Sequence, residues 1–394
     1  MHSTATNNTV DAGLALAGAG YADDERDSFG AVAQAVEALG GDPSLVLIFP
    51  TGALDPAEAA GQAQAAAGDA HVVGMTGTGA ITADGAIATG CSAIAFSPAL
   101  AVGVGVGTAI EPRARGREAA EGAFGVVDTK RGHPVLLLFV DSDAGDQAEV
   151  VAGAYEIAGG RIPLAGGAAG GAVRAQIAGG RALSSSVVAV AIVASAPVAV
   201  GITHGCVPRG RPSIVTRSEG PTVLELDGRP AETVYLEKLG LAGVDLSDAD
   251  FDALAMNHPL AEPELRGDVD PIYVRTRAPG DGLVCATSIE RNTAVDICDQ
   301  TPEAILKSAE AAVADARRQL PNRAEAALVF DCAARTPLFG NGLAVPEIES
   351  LVAAFGTPSP CVAGVYTRGE IGRTRGAKGA RNYGLVVVAF SSAD

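Results

Sequence analysis

An apolar strand running into a Gly-x-x-x-x-Gly-x-Ile turn occurs near both ends of this chain, and the echo constrains the fold more than any other feature. Leu45-Val-Leu-Ile-Phe49, a helical stretch, Val72-Val-Gly-Met-Thr-Gly-Thr-Gly-Ala-Ile81 and Cys91-Ser-Ala-Ile-Ala-Phe96 form the first copy. Ala327-Leu-Val-Phe330, a helical stretch, Val362-Ala-Gly-Val-Tyr-Thr-Arg-Gly-Glu-Ile371 and Leu385-Val-Val-Val-Ala-Phe390 form the second, with Gly74 and Gly79 matching Gly364 and Gly369. Repetition decides architecture before any single motif does. It predicts two halves of related build. The strand-to-glycine turn returns as Ile162-Pro-Leu-Ala-Gly166-Gly167-Ala-Ala-Gly170-Gly171, again after a strand and a helix. Glycine at a strand end permits positive φ and close approach of a ligand or a second backbone. With 50 glycines in the chain, tight packing and ligand approach stand as equal readings. None of the turns matches the dinucleotide fingerprint or carries the lysine of a phosphate loop.

The rest of the chain alternates between strand and helix patterns. Strands are expected at 45–49, 71–74, 91–96, 100–107, 134–140, 214–216, 223–226, 271–275, 295–298, 327–331, 361–366 and 385–390. Helices are expected at 28–39, 56–67, 114–125, 147–158, 230–239, 302–319 and 345–355, several opening on Asp or Thr before Pro, a capping residue followed by a preset φ. The stretch Val187–Ile202 is almost wholly apolar, but its β-branched runs meet Ser195-Ala-Pro197, so two buried strands with a tight turn fit better than a membrane helix. The class is α/β: two related halves with mixed sheets flanked by helices. The first should end near Thr216 and the second begin near Val223, with a pocket at their junction.

Composition narrows the function classes. The 394 residues include 46 acidic and 28 basic side chains, a net charge of −18, with 48% hydrophobic and 19% charged residues. A chain this acidic lacks the lysine and arginine surface that neutralises phosphates, so DNA, RNA and anionic membranes are excluded as partners. The six cysteines contain no C-x-x-C pair and read as reduced thiols. No Lys or Arg precedes the short apolar piece Gly13–Gly20, so the start of an export signal is missing and a cytoplasmic location is expected.

The ordered series of Gly74–Ile81, Val140-Asp141 with the later Ile162–Gly167, Gly201-Ile-Thr-His-Gly205, Glu225-Leu-Asp-Gly-Arg-Pro-Ala231, Val234–Gly240, Phe330-Asp-Cys-Ala-Ala-Arg335 and Gly364–Ile371 resembles the FIST family. The resemblance implies a tail and first helix over 1–44, a FIST N-terminal domain over 45–220 and a FIST C-terminal domain over 221–394. It implies a sensory protein of signal transduction that recognises an amino acid or similar small polar metabolite at the junction of the two domains. No cofactor is expected on that reading. Some family members bind haem and sense nitric oxide through a partner histidine kinase, which is the alternative. The chain carries no kinase, cyclase or chemoreceptor segment, so its output would pass to a separate signalling protein; a homo-oligomer is also open. It departs from the family pattern where Met75, Thr76 and Ala80 take the Cys, Ser and Glu positions of the first glycine turn.

Glu370 lies in a turn among apolar strands, where a carboxylate needs a cation or a ligand ammonium group. Arg335, at the end of the matching strand, can serve as that cation or receive a ligand carboxylate in its planar fork. A structural tie from Glu370 to Arg335 or Arg368 is the equal alternative. Tyr366, Thr367, Gly166, Gly167, Thr76, Thr78 and His204 complete the ligand-binding candidates. Cys332, or a threonine of the glycine turns acting with Glu370, would be the nucleophile of a hydrolase or transferase, although no base is identifiable and an inert buried thiol is the simpler reading. His204, after an apolar strand, is the one candidate haem ligand, weighed against a hydrogen-bonded strand-end histidine. No metal site is expected. Arg368–Arg381 is a basic loop that could cover a pocket, meet an anionic ligand or dock a partner, weighed against a solvated loop with no role beyond solubility.

Overall fold

The computed structural model describes residues 15–24, 27–143, 145–264, 268–340, 343–374 and 379–392. Its organising motif is one strand pattern used three times. Unit I comprises β1 (Ala17–Ala22), α1 (Ser28–Leu39), β2 (Leu45–Thr51), α2 (Pro56–Ala67), β3 (His71–Met75), β4 (Ala80–Thr82), β5 (Gly85–Ile87) and β6 (Gly90–Phe96). Unit II repeats it as β7 (Ala101–Gly107), α3 (Pro112–Phe124), β8 (His133–Val140), α4 (Gln147–Ala158), β9 (Leu164–Ala168), β10 (Gln176–Ala178), β11 (Arg181–Leu183) and β12 (Val187–Ala194). Unit III opens with β13 (Ala199–His204). An insertion follows, made of β14 (Cys206–Pro208), β15 (Ser213–Glu219), β16 (Thr222–Leu226), β17 (Arg229–Pro230), α5 (Ala231–Lys238), α6 (Asp248–Asn257), β18 (Leu260–Pro263), β19 (Val269–Ile272), β20 (Val274–Ala278), β21 (Gly282–Cys285) and β22 (Ala294–Gln300). Unit III then resumes as α7 (Pro302–Gln319), β23 (Ala326–Cys332), α8 (Val345–Phe355), β24 (Cys361–Thr367), β25 (Glu370–Arg373), β26 (Ala380–Arg381) and β27 (Gly384–Phe390).

The mixed α/β class with flanking helices is as the sequence indicates, and the echo between the first and last copies is real, with a third copy between them. The expected boundary near residue 220 falls in the turn of the β15–β16 hairpin, two paired strands of the inserted nine-stranded sheet. The apolar run 187–202 forms β12 and β13, joined by a short turn at Ser195–Pro197. Among the described residues no helix is long and apolar enough to cross a membrane.

The three six-stranded sheets share one order: edge strand, last strand, first strand of the parallel pair, second strand, then a hairpin. That hairpin always comes from another unit. Strands β4 and β5 of unit I extend the sheet of unit III by pairing with β24. Strands β25 and β26 of unit III extend unit II by pairing with β9, and β10 and β11 of unit II extend unit I by pairing with β3. The exchange closes a ring, so no unit completes its sheet alone. Each hairpin sets an isoleucine, Ile81, Ile371 or Ile177, opposite a strand glycine, Gly364, Gly166 or Gly74. A Cβ at these glycines would lie 2.2, 2.0 and 1.9 Å from the carbonyl oxygens of Val329, Leu138 and Ile48. Close approach of backbone to backbone is therefore the reason for glycine there.

The inner faces of the three sheets share one core, at whose centre Phe49, Phe139 and Phe330 occupy the same position of each unit. Their ring centroids lie 6.1, 5.9 and 6.1 Å apart pairwise, two of the three contacts edge-to-face. Helices cover the outer faces in separate clusters, and the insertion holds its own core around Tyr235 and Phe251.

Candidate functional site

The glycine turns meet in a ring of six backbone hydrogen bonds. Thr76 donates to Ala175 O and accepts from Gly170 N, Ala168 donates to Gly369 O and accepts from Arg368 N, and Tyr366 donates to Gly79 O and accepts from Thr78 N, all at 2.8–3.1 Å. The Thr76 hydroxyl donates to Gly170 O and accepts from Ala175 N, both at 3.0 Å. The Thr78 hydroxyl donates to Tyr366 O at 3.3 Å from an exposed position. Gly166, Gly167 and Tyr366 are buried, and Gly167 pairs with Glu370 across β9 and β25. Thr76, Thr78, Gly166, Gly167, Tyr366, Thr367 and Glu370 are thus brought together, at a seam between units.

Glu370 is fully buried. One oxygen accepts from the Thr367 hydroxyl at 2.7 Å and the other from Gly384 N at 2.8 Å. Burial raises its pKa to about 7, against the lowering effect of those two donors. The corresponding hairpin residues are Gln176 in unit II, whose Oε1 accepts from Ser186 at 2.9 Å, and Ala80 in unit I.

Arg335 is also fully buried, in the 3₁₀ turn Ala333–Phe339 that follows β23. The pairing of Arg335 with Glu370 read from the sequence is replaced by a different one. Arg335 donates to Glu347 Oε1 and to Ser308 Oγ at 2.8 Å, and its Nε lies 3.1 Å from Asp331 Oδ1. Glu347 arrives on α8 and Asp331 on β23, so the turn after β23 is tied to both elements. Burial works to lower the Arg335 pKa, but Glu347 and Asp331 outweigh it and the guanidinium stays charged. Asp331 is pushed well above the usual carboxylate range by burial and by Glu347. With every bond of the fork turned inward, Arg335 has no face for a ligand carboxylate.

Arg335 and Glu370 nevertheless act on one common group. Arg335 donates to Tyr383 O at 3.0 Å while Glu370 accepts from Gly384 N, so the two poles of the 383–384 peptide are each held by a buried ionisable side chain. Tyr383 has φ 58°, a left-handed conformation that costs a bulky residue on the order of 1–3 kcal/mol. Asn382 and Gly384, on either side of it, line a cleft of ≈ 190 Å³.

That cleft lies between unit III and the insertion. One wall is β13, where ladder alternation turns the N–H and C=O of Ile202 toward the free edge. His204, at its end, faces Asp268 across the cleft at 3.0 Å. Burial works to lower the His204 pKa, but the Asp268 carboxylate overcomes it and raises it to about 9. The N–H of Cys206 pointing at Nδ1 from 3.2 Å opposes full protonation. Arg381 lies 3.1 Å from Asp270 and 3.3 Å from Glu264. A site of this size, below the roughly 300–1,000 Å³ of drug-sized pockets, suits a small molecule, and its paired opposite charges suit a zwitterion.

Cys332 is buried, and burial, with Glu370 beside it, pushes its thiol well above the ordinary range, so a thiolate is disfavoured. Thr367 does pair with Glu370, but neither is exposed. His204 does not suit a haem iron: both ring nitrogens are engaged, and the cleft around it is small and charged. Among the described residues no group of three or more His, Cys, Asp or Glu is placed to hold a metal ion. All six thiols are unpaired. Of the basic loop, Arg375 and Lys378 lie outside the described residues, Arg373 is buried over the Tyr155 ring, and Arg381 reaches the cleft. Sequence reasoning missed Asp268, Asp270 and Glu264, whose only signal was an acidic segment just before an expected strand.

Comparison with known proteins gives two family matches: the FIST N domain over residues 12–229 and the FIST C domain over residues 231–373. Among solved structures, a cyanuric acid hydrolase from A. caulinodans is similar over 97% of this chain and 99% of that one, at 11% identity and a TM-score of 0.35, a likeness too weak to assign an activity. No curated protein matches the chain.

Proposed function

The chain belongs to the FIST family, whose domains are sensory domains of signal transduction, and on that premise we propose that it binds a small zwitterion of the amino-acid type in the cleft between unit III and the insertion. The observation that carries this reading is the back wall: a strained Tyr383–Gly384 peptide held by Arg335 and Glu370 and lined up with two opposed ion pairs. Arg381 and Asn382 would receive a carboxylate, and Asp270 and Asp268, the latter held by His204, an ammonium group. Arg335, Glu370, Thr367 and Tyr366 are positioning residues behind the wall, and the output passes to a separate signalling protein. Calorimetric titration with individual L-amino acids is the test. Saturable binding of at least one, weakened tenfold or more by Arg381→Gln and by Asp268→Asn, is expected. Heats that are flat for every amino acid, or indifferent to both substitutions, would refute the site.

A further inference from the structure

The three units differ in how they treat their edge strands. An unpaired strand edge exposes a row of N–H and C=O groups and invites another strand to pair with it. Each edge strand here is packed by a helix at an equivalent glycine: a Cβ on Gly20, Gly105 or Gly201 would lie 2.4, 2.1 or 2.0 Å from the carbonyl oxygen of Ala31, Ala119 or Ala312. This fixes the correspondence of α1, α3 and α7. Three residues on stand Gln34, Gly122 and Asp315; seven on stand Ala38, Val126 and Gln319.

Two units cover the edge with an amide. Gln34 accepts from Tyr21 N of β1 at 3.4 Å. Gln319 donates to Val200 O of β13 at 3.0 Å and accepts from Val200 N at 3.4 Å. In unit II both positions are apolar, Gly122 and Val126, and β7 keeps its edge. The register of β7 on β12 leaves Val102, Val104 and Val106 facing outward, and among the described residues no group outside β12 bonds to them. The strand, Ala-Val-Gly-Val-Gly-Val-Gly, has no charge, proline or bulge to repel a partner.

The ends of β7 say what the partner is. Beyond its C-terminus Ile110 stands 89% exposed beside the exposed Glu111. At its N-terminus lies a groove of ≈ 390 Å³ lined by Ala99, Ala101, Val126 and Val193, with the largely exposed Arg131 at the rim, where it also meets Asp128 at 3.2 Å. Antiparallel pairing of two β7 strands about Val104 sets Gly107 of each copy opposite Ala101 of the other, which brings the segment after each β7 beside the groove of the other copy. Each Ile110 then meets the other copy's groove and each Glu111 the other copy's Arg131. Knob, hole and both charges belong to this one chain.

We infer that β7 pairs antiparallel with β7 of a second copy, Val104 on the two-fold axis, joining two six-stranded sheets into one across an isologous dimer. Pairs 102–106, 104–104 and 106–102 would exchange about six hydrogen bonds, two per pair.

Sedimentation velocity of the full chain at micromolar concentration tests this. The wild type should sediment with the mass of two chains. Val106→Lys, which places a charge on the edge, and Val126→Gln, which restores the amide of unit III, should both sediment as single chains with an unchanged melting temperature. Val244→Lys, at an exposed valine in the insertion, should leave the dimer intact. A single-chain mass for the wild type, or a dimer that survives both Val106→Lys and Val126→Gln, would overturn the inference.

Discussion

Units II and III are built on the same strand order, yet they spend their equivalent positions differently. Where unit III has Glu370 against Gly384, unit II has Gln176 against Ser186. Where unit III has Asp331 in its first parallel strand, the register puts Val140 in unit II. At these positions unit II uses neutral groups, whereas unit III gathers Arg335 and three buried carboxyls, Asp331, Glu347 and Glu370. Buried charge is seldom a good route to stability, because desolvation offsets much of the attraction. The lesson is that the charges of unit III serve position: they hold the strained peptide that backs the cleft.

If that is so, the largest effect should come from Arg335→Ala. It strands Asp331 and Glu347 without their cation, and a loss of about 3–5 kcal/mol in urea unfolding is expected. A loss under about 1 kcal/mol would mean that the carboxyls are not tied by it. Next comes pH. A carboxyl whose pKa rises from 4.5 unfolded to about 7 folded contributes stability that is complete below pH 4.5 and is lost as pH climbs through 7. The decline is on the order of 3 kcal/mol. Glu370→Gln, which copies Gln176, should flatten that part of the stability–pH curve; an unaltered slope would assign it to another group. Gly166→Ala should then cost roughly 2–3 kcal/mol, since φ is 135° and the new Cβ meets Leu138 O. A neutral result would show that the exchanged hairpin has room to shift. Smallest is Arg381→Gln, partly exposed at the cleft, which should cost about 1–2 kcal/mol while weakening ligand binding tenfold or more.

Local signals made much of the fold legible. The bounds of α1, α2, α4, α7 and α8 follow from the sequence, because Asp27, Asp55, Asp146 and Thr301 cap backbone N–H groups as their chemistry predicts and Pro opens three of the five. The exchanged hairpins were not legible. Their strands run two to four residues, too short for a period to show, and their partners lie in another unit. Of unit II the sequence shows a strand, a helix and a glycine turn but not the full repeat, because residues 169–175 lengthen the connection before β10 and hide the match to Gly79 and Gly369. Helix α6 escaped because Asp248–Asn257 buries only Phe251 and Ala255.

At the site, Arg335, Glu370 and Thr367 were recognisable as isolated polar residues among apolar strands. Their partners were not. Glu347 and Ser308 approach Arg335 only through the packing of α7 and α8, and Asp270 reaches Arg381 from the insertion. His204 stood out by its setting, but Asp268, which fixes its role, lies just before β19 in the insertion.

Amide hydrogen exchange with and without the amino acid found by calorimetry tests the central claim most directly. Protection confined to 200–204, 268–271 and 382–384, with the edge and hairpin of unit II unchanged, is the predicted result. Protection centred on unit II, or on the ring of glycine turns with the cleft unaffected, would contradict it.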